Sequence, residues 1–84
     1  MRDIAALFQE SMELSKRETV EGLKAVEQIA LEMQKPKESR DYKSLVDLGE
    51  KLLNIASKAT DLSVKLAPHL PQITMLIHEA GKHL

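Results

Sequence analysis

The spacing of apolar and small residues in two long segments without proline is the feature that most constrains the fold. In residues 3–35 such residues recur at alternating steps of four and three, and residues 41–67 repeat the same steps. This spacing places them on one stripe of an α-helix, as in the seam of a coiled coil. The sequence therefore predicts two long helices, each with one face turned toward a neighbour.

The prolines at positions 36, 68 and 71 predict where the helices end. Proline lacks a backbone donor and moves the residue before it away from helical geometry. Asp41 or Ser39 is expected to cap the second helix, and Pro71 suits the first turn of the third. The expected elements are helix 1 over about 3–35, a basic turn at 36–41, helix 2 over about 41–67, a turn at 68–71 and helix 3 over about 72–82.

One short motif allows a different division of the first segment. The run Ser15-Lys16-Arg17-Glu18 has the pattern of a capping box, in which a serine begins a helix and a glutamate three residues later bonds back to it. The seam continues through this motif without a change of phase, so one long helix is the preferred interpretation. A bend or a division at Ser15 is the alternative.

The two seams match as an antiparallel hairpin in which small residues meet at the centre and large residues at both ends. Small facing residues let helices approach closely, and a short turn favours antiparallel neighbours. The paired layers are Phe8 with Leu70, Met12 with Leu66, Ser15 with Ser63, Thr19 with Ala59, Gly22 with Ala56, Val26 with Leu52, Ile29 with Gly49, and Met33 with Leu45. The predicted fold class is all-α: one domain over residues 1–84, with a long antiparallel helical hairpin and a short third C-terminal helix. Self-association would complete this three-helix bundle as a four-helix or larger bundle.

Apolar residues outside the seams exceed what the third helix is expected to cover, because its length is only about 20 Å. Monomers seldom expose a large continuous apolar surface, so the surplus predicts a protein partner or a second copy, with a homo-oligomer favoured. The alternative is a self-sufficient bundle with scattered exposed leucines. The residues predicted to contact the partner are Leu7, Leu14, Val46, Leu53, Leu62, Ile73 and Ile77.

A basic turn offers a secondary contact. Residues 35–44 hold four basic residues against two acidic ones, and the basic ones are Lys35, Lys37, Arg40 and Lys43. Two other functions remain as alternatives: an amphipathic bundle acting at membranes, and a small nucleic-acid-binding regulator that uses this turn. A net charge of −1 gives no general attraction to anionic lipid or nucleic acid, so the charge argues against both.

No pattern in the sequence predicts catalytic, cofactor-binding or metal-binding residues. The chain has no cysteine, and its three glycines are isolated. His78 and His83 are five positions apart, which puts them about 140° apart on a helix and too far around it to share one metal ion. No glutamate has a histidine three residues later, as a di-iron helix bundle requires. We therefore expect no enzyme.

The sequence as a whole favours a non-catalytic helical module for protein–protein interaction or oligomerisation. The layout is similar to helical hairpins that dimerise into four-helix bundles and to small helical domains at the ends of bacterial multidomain regulators. This likeness concerns the architecture alone, and an accessory domain of such a regulator is one form that the module could take. A cytoplasmic location is expected, because no signal peptide and no apolar run of membrane-spanning length is visible.

Overall fold

The computed structural model describes all 84 residues, which form helices and turns without a β-strand. The α-helices are α1 (Arg2–Glu10), α2 (Lys16–Met33), α3 (Tyr42–Ala56), α4 (Thr60–Leu66) and α5 (Leu70–Gly81). A 3-10 turn, Ala67–His69, joins α4 to α5 without a break, so the chain has four continuous helical stretches; a second 3-10 turn, Lys37–Ser39, lies in the α2–α3 linker. The predicted all-α class is confirmed. None of these helices combines the length and the apolar character needed to cross a membrane.

The first predicted helix is two helices in the structure. Ser15 Oγ accepts a hydrogen bond from Glu18 N at 3.1 Å, and Ser15 N donates to Glu18 Oε1 at 2.9 Å, which are the two bonds of a capping box. They satisfy donors at a new helix start. A continuous helix over 3–35 would be about 50 Å long, whereas the longest dimension of the molecule is 39 Å. The prediction of one long helix is therefore wrong, and the division at Ser15 is observed.

The second predicted helix, 41–67, is also divided, because α3 ends at Ala56 and α4 begins at Thr60. Ser63 Oγ donates to the carbonyl of Ala56 at 2.7 Å and satisfies an acceptor that a continuing helix would have used. The predicted turn at 68–71 is a 3-10 turn at 67–69, and the third helix begins at residue 70 rather than 72.

Two residues predicted to mark helix starts have that place in the structure. The Asp41 carboxylate accepts from Ser44 N at 3.1 Å and from Ser44 Oγ at 2.9 Å, and so caps α3. Pro71 lies in the first turn of α5, where its missing N–H group leaves no helical bond unmade. Both signals act within a few residues of the helix that they begin.

The core forms around α3, against which α2, α4 and α5 pack, while α1 packs against α2 and α4. The centre of the predicted seam is buried, from Gly22 to Ile29 on α2 and from Leu45 to Ala56 on α3. In its two outermost layers one residue of each pair is exposed, since Met12 is 91% and Leu70 is 38% exposed, while Phe8 and Leu66 are buried. The full-length hairpin does not form, because both of its helices are broken.

Candidate functional site

The residues predicted to contact a partner lie in or against the core of the chain itself. Leu14, Leu62 and Ile73 are buried. The other four are half-buried and pack against that core: Leu7, Val46, Leu53 and Ile77. Because the breaks in both long helices let α1 and α4 pack together, the chain covers much of its own surplus apolar surface. This corrects the expectation that the seven residues form an open apolar face.

Two of the four basic residues in residues 35–44 are used in the fold. Lys35 Nζ pairs with Glu32 Oε2 at 2.7 Å. Arg40 donates from Nη2 to the Met33 carbonyl at 2.8 Å and from Nε to the Lys35 carbonyl at 3.0 Å, which closes the C-terminal end of α2. The other two, Lys37 and Lys43, are exposed, and their side chains form no ion pair.

An open groove lies between α2 and α5, and we call it the α2/α5 groove. It consists of two adjoining hollows of about 200 Å³ and 230 Å³ that share Met33 and Leu76 in their walls. Its lining residues are Met1, Ile29, Met33, Lys37, Arg40, Tyr42, Leu45, Gln72, Leu76, Glu79, Ala80 and His83.

The floor of the α2/α5 groove and part of its walls are apolar. Ile29, Leu45 and Ala80 belong to the buried core and form the floor. Met33 at its edge is 42% exposed, and Leu76 is half-buried. Apolar surface that leaves water contributes about 25 cal/mol per Å². A partner with an apolar face would therefore be stabilised in this groove.

One end of the α2/α5 groove is closed by the α2–α3 linker and the C-terminal end of α5. Tyr42 Oη donates to the Lys37 carbonyl at 2.7 Å, which folds the linker against the start of α3. The rings of Tyr42 and His83 stack with centroids 4.0 Å apart and planes 9° from parallel. Lys37 and Arg40 line this end, so the apolar groove finishes beside two cationic side chains.

Gly49 determines how closely α5 approaches α3. Ile77 lies over Gly49, and a Cβ there would be 2.6 Å from Ile77 Cγ1. Carbon atoms in contact lie about 3.5–4.0 Å apart, so only glycine allows this approach. The neighbour of Ile77 in sequence, Leu76, lines the groove. The packing of α5 on α3 thus sets the position of the groove wall.

A second and more polar groove of about 430 Å³ lies between α2 and α3. Its lining residues are Gln28, Leu31, Glu32, Lys35, Ser44, Asp47 and Leu48. Glu32 is already paired with Lys35. No group of three or more His, Cys, Asp or Glu side chains in the chain is placed to hold a metal ion. The α2/α5 groove is the stronger candidate, because its uncovered apolar residues favour a bound partner.

Three carboxyl groups have pKa values below their ordinary values, and all three stand at helix starts. Hydrogen bonds to a carboxylate stabilise its ionised form and lower its pKa. The largest cause in each is a backbone N–H group, from Ser15 to Glu18, from Ser44 to Asp41, and from Met12 to Asp61. None of the three lines the α2/α5 groove, so these charges serve the fold.

Met33 and Leu76 are the site residues that the sequence pattern misplaces. The seam puts Met33 opposite Leu45 in the core, and the residues of the third helix predicted to contact a partner are Ile73 and Ile77, without Leu76. One feature of the sequence could have located Leu76 as a groove residue, namely the number of apolar residues around α5. Ile73 is buried and Ile77 packs on Gly49, so Leu76 lies on a face that α3 alone cannot cover.

The α2/α5 groove combines an apolar floor, an exposed methionine at its edge and two cationic side chains at one end. We interpret the groove from the chemistry of these residues. Comparisons of the chain with protein-family models, curated proteins and solved structures gave no match.

Proposed function

We propose that the chain is a non-catalytic helical module that binds another protein through the α2/α5 groove. The observation that carries this proposal is the apolar surface of Met33, and part of that of Leu76, left uncovered between two helices that both pack on α3. A helix laid in the groove would bury Met33 and Leu76 and extend the bundle by one element. Lys37 and Arg40 of the basic turn would supply a secondary contact.

The positions and hydrogen bonds of the ionisable side chains support a non-catalytic role. Catalytic groups typically have shifted pKa values inside a cleft. The carboxyls of Glu18, Asp41 and Asp61 have shifted pKa values, but they bond to helix starts outside the groove. His83, the histidine that lines the groove, stacks on Tyr42.

Selection from a displayed library of helical peptides, with random residues at every outward position, tests the proposal. Recovered binders should lose affinity for Met33→Gln and keep it for Met75→Gln. The two methionines are matched, since both are on helices and are 42% and 62% exposed, but only Met33 lines the groove. Recovery of no binder that depends on Met33 would contradict the proposal.

Sedimentation of the protein alone at several concentrations distinguishes a second copy from a different partner. A mass that rises with concentration, and rises less in Met33→Gln, would indicate self-association through the groove. A constant monomer mass would leave a different protein as the partner. The same measurement on Met75→Gln controls for a general effect of removing a methionine.

A further inference from the structure

We propose that the α2/α5 groove binds an acidic amphipathic helix of a partner protein. The apolar face of that helix would lie on Met33 and Leu76, and its carboxylates would lie beside Lys37 and Arg40. This inference rests on the proposed function and specifies the chemistry of the partner.

Positive charge at the linker end of the groove is not compensated within the chain. Lys37 forms no ion pair. The Arg40 guanidinium donates to backbone carbonyls at the end of α2 and pairs with no carboxylate. Glu79, the one carboxylate in the groove lining, is paired with Lys82 at 3.4 Å. The groove therefore presents two cations against one carboxylate that already pairs with Lys82, which is an excess of positive charge.

The remaining acidic residues of the linker do not offset this charge inside the groove. The Asp41 carboxylate accepts two hydrogen bonds from Ser44 as the cap of α3. Glu38 does not line the groove. A partner carboxylate is thus the complementary group, and a charge pair at the edge of an interface sets orientation and specificity.

The length of the groove fits a helix. Gln72, Leu76 and Ala80 line it along α5, over about 12 Å at the rise of an α-helix, and His83 lines it just beyond the end of that helix. A partner helix of about three turns, with apolar residues at positions i, i+3 or i+4, and i+7, would cover this length. The flexible side chain of Met33 can adapt to the residues that it meets.

The exposed apolar residues of the chain itself do not form such a ligand. The apolar face of α1 is buried in the core. Charged residues separate the exposed Val20 and Leu31 of α2, and a 3-10 turn separates the exposed Val64 and Met75. A second copy therefore offers no regular apolar face of three turns, and the structure favours a different protein.

Two stapled helical peptides with the same leucine stripe test the inference, one with glutamates and the other with lysines at the polar positions. Fluorescence anisotropy measures their affinities, and backbone amide chemical shifts locate the bound peptide. The glutamate peptide should bind at least about tenfold more tightly at low salt, with its shift changes at the groove. The difference should shrink as salt screens the charges. Equal or tighter binding of the lysine peptide would overturn the inference.

Matched variants assign the charge preference to the groove. Lys37→Glu should shift the preference toward the lysine peptide, whereas Lys51→Glu, an exposed change on α3 away from the groove, should not. Met33→Gln should lower the affinity for the glutamate peptide at least about fivefold, and Met75→Gln should leave that affinity unchanged. Circular dichroism confirms that each variant keeps its helices. An unchanged preference in folded Lys37→Glu contradicts the charge assignment.

The outcomes separate this inference from the proposed function. Equal binding of both peptides, lost in Met33→Gln, leaves the groove as a protein-binding site and removes the acidic preference. Binding of neither peptide overturns the acidic-helix inference, while the random library decides the proposed function independently. A dimer of the protein alone that Met33→Gln disrupts would make a second copy the occupant and would also overturn the inference.

Discussion

Gly22 shows how a residue without a side chain can place a whole helix. The seam pattern puts it opposite Ala56, where a small residue would let two long helices approach. In the structure the ring of Phe8 from α1 occupies that space, and a Cβ on Gly22 would be 2.7 Å from Phe8 Cε2. Phe8 is fully buried, so its ring cannot turn away without leaving the core. The pattern identifies position 22 as one that needs a small residue. The neighbour that packs there is Phe8, however, and not Ala56.

Gly22→Ala should therefore destabilise the protein. Overpacking a core costs about 1–3 kcal/mol, and the higher helix propensity of alanine offsets about 1 kcal/mol of that. We expect a net loss of about 1 kcal/mol, measured by urea unfolding. Gly81→Ala is the matched control, because a Cβ there meets no atom within 4 Å, and it should be neutral or slightly stabilising. Equal stability of the two variants would contradict the packing of Phe8 on Gly22.

At the scale of elements, the two helix breaks are bonded to each other. The carboxylate of Asp61 in α4 accepts from Ser11 Oγ and from Met12 N, both at 2.8 Å, while the Glu13 carboxylate accepts from Asp61 N at 2.7 Å. These bonds connect the α1–α2 linker to the start of α4. A continuous helix in either segment would remove them, so each break helps to stabilise the other.

Asp61→Asn tests this connection. The neutral amide has one acceptor oxygen in place of two, so it cannot serve both Ser11 and Met12 as the carboxylate does. The melting temperature, followed by circular dichroism, should fall while the helical spectrum at low temperature is kept. Asp47→Asn is the control, because Asp47 is exposed and makes no side-chain hydrogen bond. A melting temperature in Asp61→Asn as high as in this control would show that the connection does not stabilise the fold.

At the scale of the whole molecule, breaking both long helices gives a body of 39 × 20 × 17 Å with α3 at its centre. This arrangement buries the flanks that a straight hairpin would expose. It also uses every helix of the chain, and none is left to fill the space between α2 and α5. The same folding that covers Leu14 and Leu62 therefore leaves Met33 and Leu76 uncovered.

Acid should destabilise this fold through the carboxyls of Glu18, Asp41 and Asp61. Their pKa values are lower in the folded protein than in the unfolded chain, so the unfolded chain binds more protons as the pH falls. Their contribution is present above the ordinary carboxyl pKa of about 4 and is lost as the pH falls through the lowered values. The urea midpoint should therefore decrease below about pH 4. Its decrease should be shallower in Asp61→Asn than in Asp47→Asn, and a midpoint unchanged down to about pH 3 would contradict the prediction.

Much of the helical structure could be predicted because its signals are local. The end of α2 before Pro36, the Asp41 cap and the capping box of Ser15 and Glu18 all act through bonds or steric contacts within a few residues. The prediction of one long first helix is wrong because it gave the continuing seam more weight than the capping box. In the folded chain the capping bonds are supported by tertiary contacts, and the helix is divided.

The candidate site was harder to predict, because its position depends on contacts between distant parts of the chain. The sequence by itself determined that the protein is helical, where the helices next to the prolines end or begin, and that it has more apolar residues than two seams can hold. Only the tertiary structure decided which surface those residues cover. Phe8 fills the space at Gly22, Ile77 fills the space at Gly49, and Glu13 bonds to Asp61 at a separation of 48 residues. Such pairings follow from the packing of the whole chain, and they place the uncovered apolar surface between α2 and α5.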